Sequence, residues 1–159
     1  MTASFTPRDA ARLRERLAGR LVLPGQEEYD AARQVWNASH DHRPALIAQP
    51  LSVADAQAAV RFAGDRGLAV SVRGGGHNHA GYAVADGALM LDLSALVSVR
   101  ADAARRVATV GGGATWGTVD QATVPHVAPP PTVATRRAAS ARTETSADRS
   151  SISAPSATA

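Results

Sequence analysis

A chain of 159 residues with 45% apolar content can fill one domain core, and no run in it approaches the ~20 apolar residues of a membrane span. Cysteine is absent, which excludes disulfides, thiolate nucleophiles and cysteine-ligated zinc; all 17 basic residues are arginine, which removes the lysine that a Walker phosphate loop or a pyridoxal Schiff base needs. Acidic residues are interleaved with arginines through residue 127, so no basic stripe able to grip nucleic acid forms.

In chain order, the N-terminus MTASFTPRDAARLRERLAGR has the pattern of an arginine-studded amphipathic helix without the apolar core of a signal peptide, so a cytoplasmic protein is expected. Thr6 before Pro7 and Asp9 marks the helix start, and Leu13, Leu17 and Leu21 recur at spacing four, which predicts a helix reaching about Gly19. Glu27 to Asn37 places Tyr29, Ala32, Arg33 and Trp36 on one face of a short helix, and Tyr29, Trp36 and the later Trp116 are expected to be core aromatics. His40 and His42 fall in a connection where solvation explains them. The apolar run between Pro44 and Pro50 predicts a buried strand.

Ser52 and Asp55 have capping-box spacing, and the stripe Val53, Ala56, Val60, Ala63 behind them predicts a helix ending at Gly67. A strand from Leu68 to Arg73 follows, completing a βαβ unit that favours a parallel pair. Ala88 to Leu93 predicts a third strand, Val97 to Val110 two strands around a polar turn, and Thr115 the cap of a last short helix. Composition then changes: no glycine follows Gly117, no leucine Leu96 and no aromatic Trp116. Residues 126–159, rich in Ala, Ser, Thr, Pro and Arg, offer little apolar burial to offset the entropy of ordering them and are expected to be disordered.

The strand ending at Arg73 runs into Gly74, Gly75 and Gly76, then His77, Asn78 and His79. Glycines at a strand end admit positive φ and let a ligand approach the main chain, so that successive N–H groups can face an anion such as a phosphate ester; a loop that only needs tight turns would use the same residues. A nicotinamide-dinucleotide fingerprint does not fit, because His79 stands where glycine or alanine is required and a helix does not follow. Two H-x-H pairs, His40/His42 and His77/His79, leave a metal-binding alternative in which Asp41 or Asp92 would add a carboxylate.

The strings YDAARQVWN, RPALIAQPLSVADAQAAVRFAGDRGLAVSVRGGGHN and GALMLDLSALVSVRADAARRVATVGGGATWGTVD resemble the N-terminal portion of FAD-linked oxidases with a PCMH-type FAD-binding domain, and more narrowly the berberine-bridge-enzyme-like oxidoreductases. The resemblance implies that Arg73, Gly74, Gly75 and Gly76, continued by Asn78 and Gly81, form the loop whose backbone holds the FAD pyrophosphate. It implies that His77 bonds covalently to the flavin 8α-methyl, that His79 is incidental, and that Gly111 to Gly113 with Thr115 form a second glycine-rich turn near the flavin. No catalytic residue and no metal ligand is expected in this stretch.

The expected fold is α+β: a truncated PCMH-type FAD-binding subdomain with a small, largely parallel sheet covered by helices. Residues 1–39 would be an N-terminal helical segment, 40–125 the partial FAD-binding domain and 126–159 the tail. The implied activity is oxidation of alcohols, sugars or related small molecules with reoxidation by dioxygen, the substrate being met only in a full-length relative, with neither nucleic acid nor membrane as partner. The tail departs from the family pattern after Asp120 and reads as out-of-frame translation or an alternative C-terminus, so the chain is expected to be inactive alone; a non-catalytic fragment is the other reading.

Overall fold

The structure, a computed structural model, describes residues 5–124; the expected tail lies outside the described residues. Helix α1 (Pro7–Arg16) starts as its sequence demands: the Thr6 hydroxyl accepts from Asp9 N, and Asp9 reaches back to Thr6 N at 2.9 Å, a complete capping box. It ends before Gly19, because the chain turns into a strand that the apolar spacing alone does not announce, β1 (Arg20–Val22). A Cβ on Gly19 would stand 2.0 Å from Gln49 O, so this entry to the sheet is possible only for glycine.

A four-stranded sheet follows in the order β1-β2-β4-β3, with β2 (Leu46–Gln49), β3 (Val70–Arg73) and β4 (Leu89–Asp92). β1 pairs antiparallel with β2, while β2, β4 and β3 are mutually parallel. Helix α3 (Val53–Asp65) joins β2 to β3, but the two strands are not neighbours; β4 inserts between them. The expected small, largely parallel sheet is therefore present, with one more strand than the apolar runs suggest.

Both faces of the sheet are covered, which is why the central strands read as unbroken apolar runs. Leu46, Ala48, Leu89 and Leu91 pack with Ala10, Leu13, Leu17, Ala59, Phe62 and Ala63 of α1 and α3. Ile47 and Met90, one residue out of phase, pack with Val22, Tyr29 and Val84 on the other face. Tyr29 belongs to the single turn α2 (Tyr29–Ala32) and donates its hydroxyl to Pro44 O at 2.7 Å. The predicted helix to Asn37 stops there, and residues 33–42 become a strap.

The Ser52–Asp55 box is only half formed. Ser52 caps α3 by accepting from Asp55 N, but the buried Asp55 carboxylate turns outward to accept from Leu51 N, Ala18 N and Gly19 N. Its pKa is lowered chiefly by the Leu51 N–H. Asp55 thus ties the end of β2 to the α1–β1 corner. Strands β5 (Val99–Asp102) and β6 (Val107–Val110) pair antiparallel as a separate two-stranded sheet, and α4 (Trp116–Thr123) follows under a Thr115 cap.

Candidate cofactor site

The carboxyl ends of the parallel strands β3 and β4 carry the site, where open sheets of this kind bind ligands. β3 ends in Arg73 and β4 in Asp92, its register partner. Arg73 donates from Nη2 to Asp92 Oδ2 at 2.6 Å and from Nε to Oδ1 at 3.2 Å, and its Nη1 donates to Gln34 O on the strap. Asp92, 1% exposed, also accepts from Gln49 Nε2 at 3.0 Å and Ser94 N at 3.1 Å. Burial pushes its carboxyl up, but the hydrogen bonds from Arg73 and Gln49 outweigh burial and hold it below the ordinary range. The Arg73 guanidinium therefore faces the sheet end and the strap.

Beyond this pair the chain opens a cleft of about 580 Å³, lined by Gly74, Gly75, Gly76, His77 and Asn78 on one side and Gly113, Ala114, Thr115 and Trp116 on the other. The two glycine-rich turns, distant in sequence, meet here: a Cβ on Gly74 would lie 2.4 Å from Gly112 O. Gly76 has φ +74° and is buried, so its backbone conformation needs glycine. Among the described residues no acceptor engages the N–H groups of Gly74, Gly75, Gly76, His77 or Asn78. Five successive donors on a concave loop, facing a helix whose cap Thr115 and first residue Trp116 line the same cleft, suit an anionic group.

The second triplet has a different explanation for its glycines. Cβ atoms on Gly111 and Gly113 would stand 2.1 Å from Leu96 O and 2.4 Å from Leu93 O, so these residues seat the turn against the segment after β4. Only Gly113 of the three lines the cleft.

The strap explains residues that the sequence reading set aside. Trp36 donates its N–H to Gly76 O at 3.1 Å and its indole stacks on the His77 imidazole with centroids 5.9 Å apart, while His79 meets the same indole edge-on. His40 lies across Gly81, where a Cβ would be 2.5 Å from its ring, and its Nε2 contacts His79 O at 3.0 Å. Gly81 has φ +78° and closes the loop through its N–H to Asn78 O. Tyr29 is core, as expected; Trp36 and Trp116, expected there, are 68% and 83% exposed, Trp116 lining the cleft and Trp36 stacking on His77. A helical face drawn through Asn37 misplaced Trp36 because the helix ends at Ala32.

The metal alternative finds no support in the geometry: His42 pairs with Asp86 at 2.9 Å, Asp41 with Arg33, and Asp92 with Arg73. Among the described residues no group of three or more His, Cys, Asp or Glu is placed to hold a metal ion. Nor is any described helix long and apolar enough to cross a membrane.

Comparison with known proteins identifies the family. Residues 44–141 match the FAD binding domain family. This chain belongs to that FAD-binding family. This FAD-binding chain is 43% identical over 101 residues to (R)-6-hydroxynicotine oxidase of Paenarthrobacter nicotinovorans, covering 64% of the chain and 22% of that protein. Its structure is similar to that of BBE-like 1 from Physcomitrella patens, with TM-score 0.59 at 30% identity over 65% of the chain and 23% of the other. It is also similar to glucooligosaccharide oxidase from Acremonium strictum, described as carrying a 6-S-cysteinyl, 8α-N1-histidyl FAD, with TM-score 0.58 at 35% identity over 65% of the chain and 22% of the other. The FAD-binding chain thus spans less than a quarter of the length of these relatives. The cleft fits the cofactor: its unengaged N–H row answers a pyrophosphate, and its glycines leave room for a close approach to the main chain.

Proposed function

We propose that this chain is the FAD-holding module of a flavin-dependent oxidoreductase acting on small molecules such as alcohols and sugars, with residues 40–125 as the module and the preceding residues, which carry α1 and the sheet strand β1, bracing it. The observation that carries this reading is the convergence of two glycine-rich turns on one cleft with His77 at its rim. The N–H groups of Gly74 to Asn78 would hold the pyrophosphate, and Gly76 and Gly81, both at positive φ, give that loop its curvature. Arg73, fixed by Asp92 and the strap, holds the base of the loop instead of reaching into it.

When bound, FAD would supply the capacity to accept a hydride from substrate and pass the electrons to dioxygen. His77 would be the point of attachment, an imidazole being nucleophilic in its neutral form; exchanging its N–H and one 8α C–H for a C–N bond would release two protons and two electrons, which dioxygen would take up as hydrogen peroxide. Trp116 and Tyr82 stand exposed around this region and are available to exclude water once a planar group is seated. The substrate-facing part of such an enzyme lies in the portions of the relatives that this chain does not span.

The test joins residues 1–124 to the remainder of (R)-6-hydroxynicotine oxidase and measures flavin retained by the protein after acid precipitation. Retained yellow colour is expected, lost in His77→Ala and kept in His79→Ala. Retention in His77→Ala would show that another residue carries the bond.

A further inference from the structure

The His77 imidazole has two close neighbours that no hydrogen bond explains. A Cβ on Gly75 would stand 3.0 Å from His77 Nδ1, and the Trp36 indole lies 5.9 Å away between centroids, tilted by only 27°. Among the described residues neither ring nitrogen of His77 has a hydrogen-bond partner, so this stacking and the space left by Gly75 set the orientation of the ring.

Trp36 is itself fixed. Its N–H donates to Gly76 O, the neighbouring Gln34 O accepts from Arg73 Nη1, and His40 further along the strap packs on Gly81. The strap is therefore pinned to the glycine loop before, at and after Trp36. Yet the indole is 68% exposed, so burial of its apolar surface does not account for its place. A large aromatic left in solvent while its main chain is tied to the loop is placed to act on what it touches, and it touches His77 and His79.

We propose that Trp36 is a positioning residue that clamps the His77 imidazole by stacking against it across the space left by Gly75, presenting one ring nitrogen to the cleft. This rests on the reading of His77 as the flavin-linked residue. An imidazole free to rotate about its side-chain bonds would spend most of its time misaligned, and small misplacements of a reacting group cost large factors in rate. Trp36 touches no reacting atom; it acts through His77.

The experiment uses the full chain in two arms. In the first, without flavin, the carbon-bound imidazole protons of His77 are followed by NMR. The indole ring current should hold them upfield in the wild type, release them in Trp36→Ala and largely hold them in Trp36→Phe, with backbone amide shifts of the sheet unchanged. Imidazole shifts unmoved by Trp36→Ala would overturn the clamp whatever the chain does with FAD. In the second arm, FAD is added under air and flavin retained after acid precipitation is followed with time, beside the affinity for FAD measured in the His77→Ala background. Trp36→Ala should slow retention by about tenfold or more, leave that affinity within about twofold, and be rescued by Trp36→Phe. Equal rates in Trp36→Ala and wild type overturn the proposal. A ring-current shift in a wild type that retains no flavin would instead overturn the flavin-linked reading of His77, and the clamp's catalytic purpose with it.

Discussion

His77 and His79 differ in their surroundings more than their shared H-x-H spacing suggests. His77 stacks on Trp36, while His79 meets its edge and its main-chain carbonyl contacts His40 Nε2. Gly76 is the residue on which the loop depends most. With φ +74° and a buried position, it cannot take a β-branched side chain without strain of about 1–3 kcal/mol. Gly76→Val should weaken FAD binding at least about tenfold in a titration, because the donors of His77 and Asn78 would be re-aimed. An unchanged affinity would place the anion elsewhere. Gly75 makes a different prediction: a side chain there meets the His77 imidazole first, so Gly75→Ala should reduce acid-stable flavin more than it reduces total FAD bound. Equal losses of the two would show that Gly75 serves the pyrophosphate alone.

At the level of elements, the join between β3 and β4 rests on a charged pair that the sequence does not advertise. Arg73 and Asp92 are register partners at strand ends, and the pair is nearly inaccessible. Removing one partner of a buried pair strands the other, so Asp92→Asn should lower stability by about 3 kcal/mol, read by denaturant unfolding. The carboxyls of Asp92 and Asp55 both lie below their ordinary value in the folded chain. Their contribution is therefore complete above the unfolded carboxyl value, about pH 4, and is lost as pH falls through the folded values. Thermal midpoints should hold steady above pH 5 and drop below pH 4, and Asp92→Asn should flatten that drop. A midpoint as acid-sensitive in Asp92→Asn as in the wild type would show that Asp92 is not responsible. Helices with caps and apolar runs between prolines were legible in the sequence because each is a local signal: Thr6, Ser52 and Thr115 all cap where expected. What could not be read was long-range. β1 is too short to carry a pattern, the insertion of β4 between β2 and β3 is a matter of pairing, and the place of Trp36 depends on a helix that stops at Ala32.

Over the whole molecule, residues of the glycine loop were legible from the resemblance, whereas the strap that pins them was not, because its contacts join residues 34–40 to residues 73–81 through main-chain groups. The uneven covering of the fold matters as much. β2 and β4 are buried on both faces, but Val70 and Val72 on the edge strand β3 and Val107 and Val110 on β6 are 40–57% exposed. Exposed valines on an unpaired edge favour association. Replacing these four by threonine should shift sedimentation toward the monomer without lowering the thermal midpoint, and an unchanged distribution would show that these faces are not where chains meet. The central claim, that the two glycine-rich turns build a flavin site, is tested most directly by FAD titration followed through tryptophan emission, since of the chain's two tryptophans Trp116 lines the cleft and Trp36 stacks on the cleft residue His77. Saturable quenching that Gly76→Val weakens is expected. Emission unchanged by FAD in a chain whose circular dichroism shows it folded would contradict it.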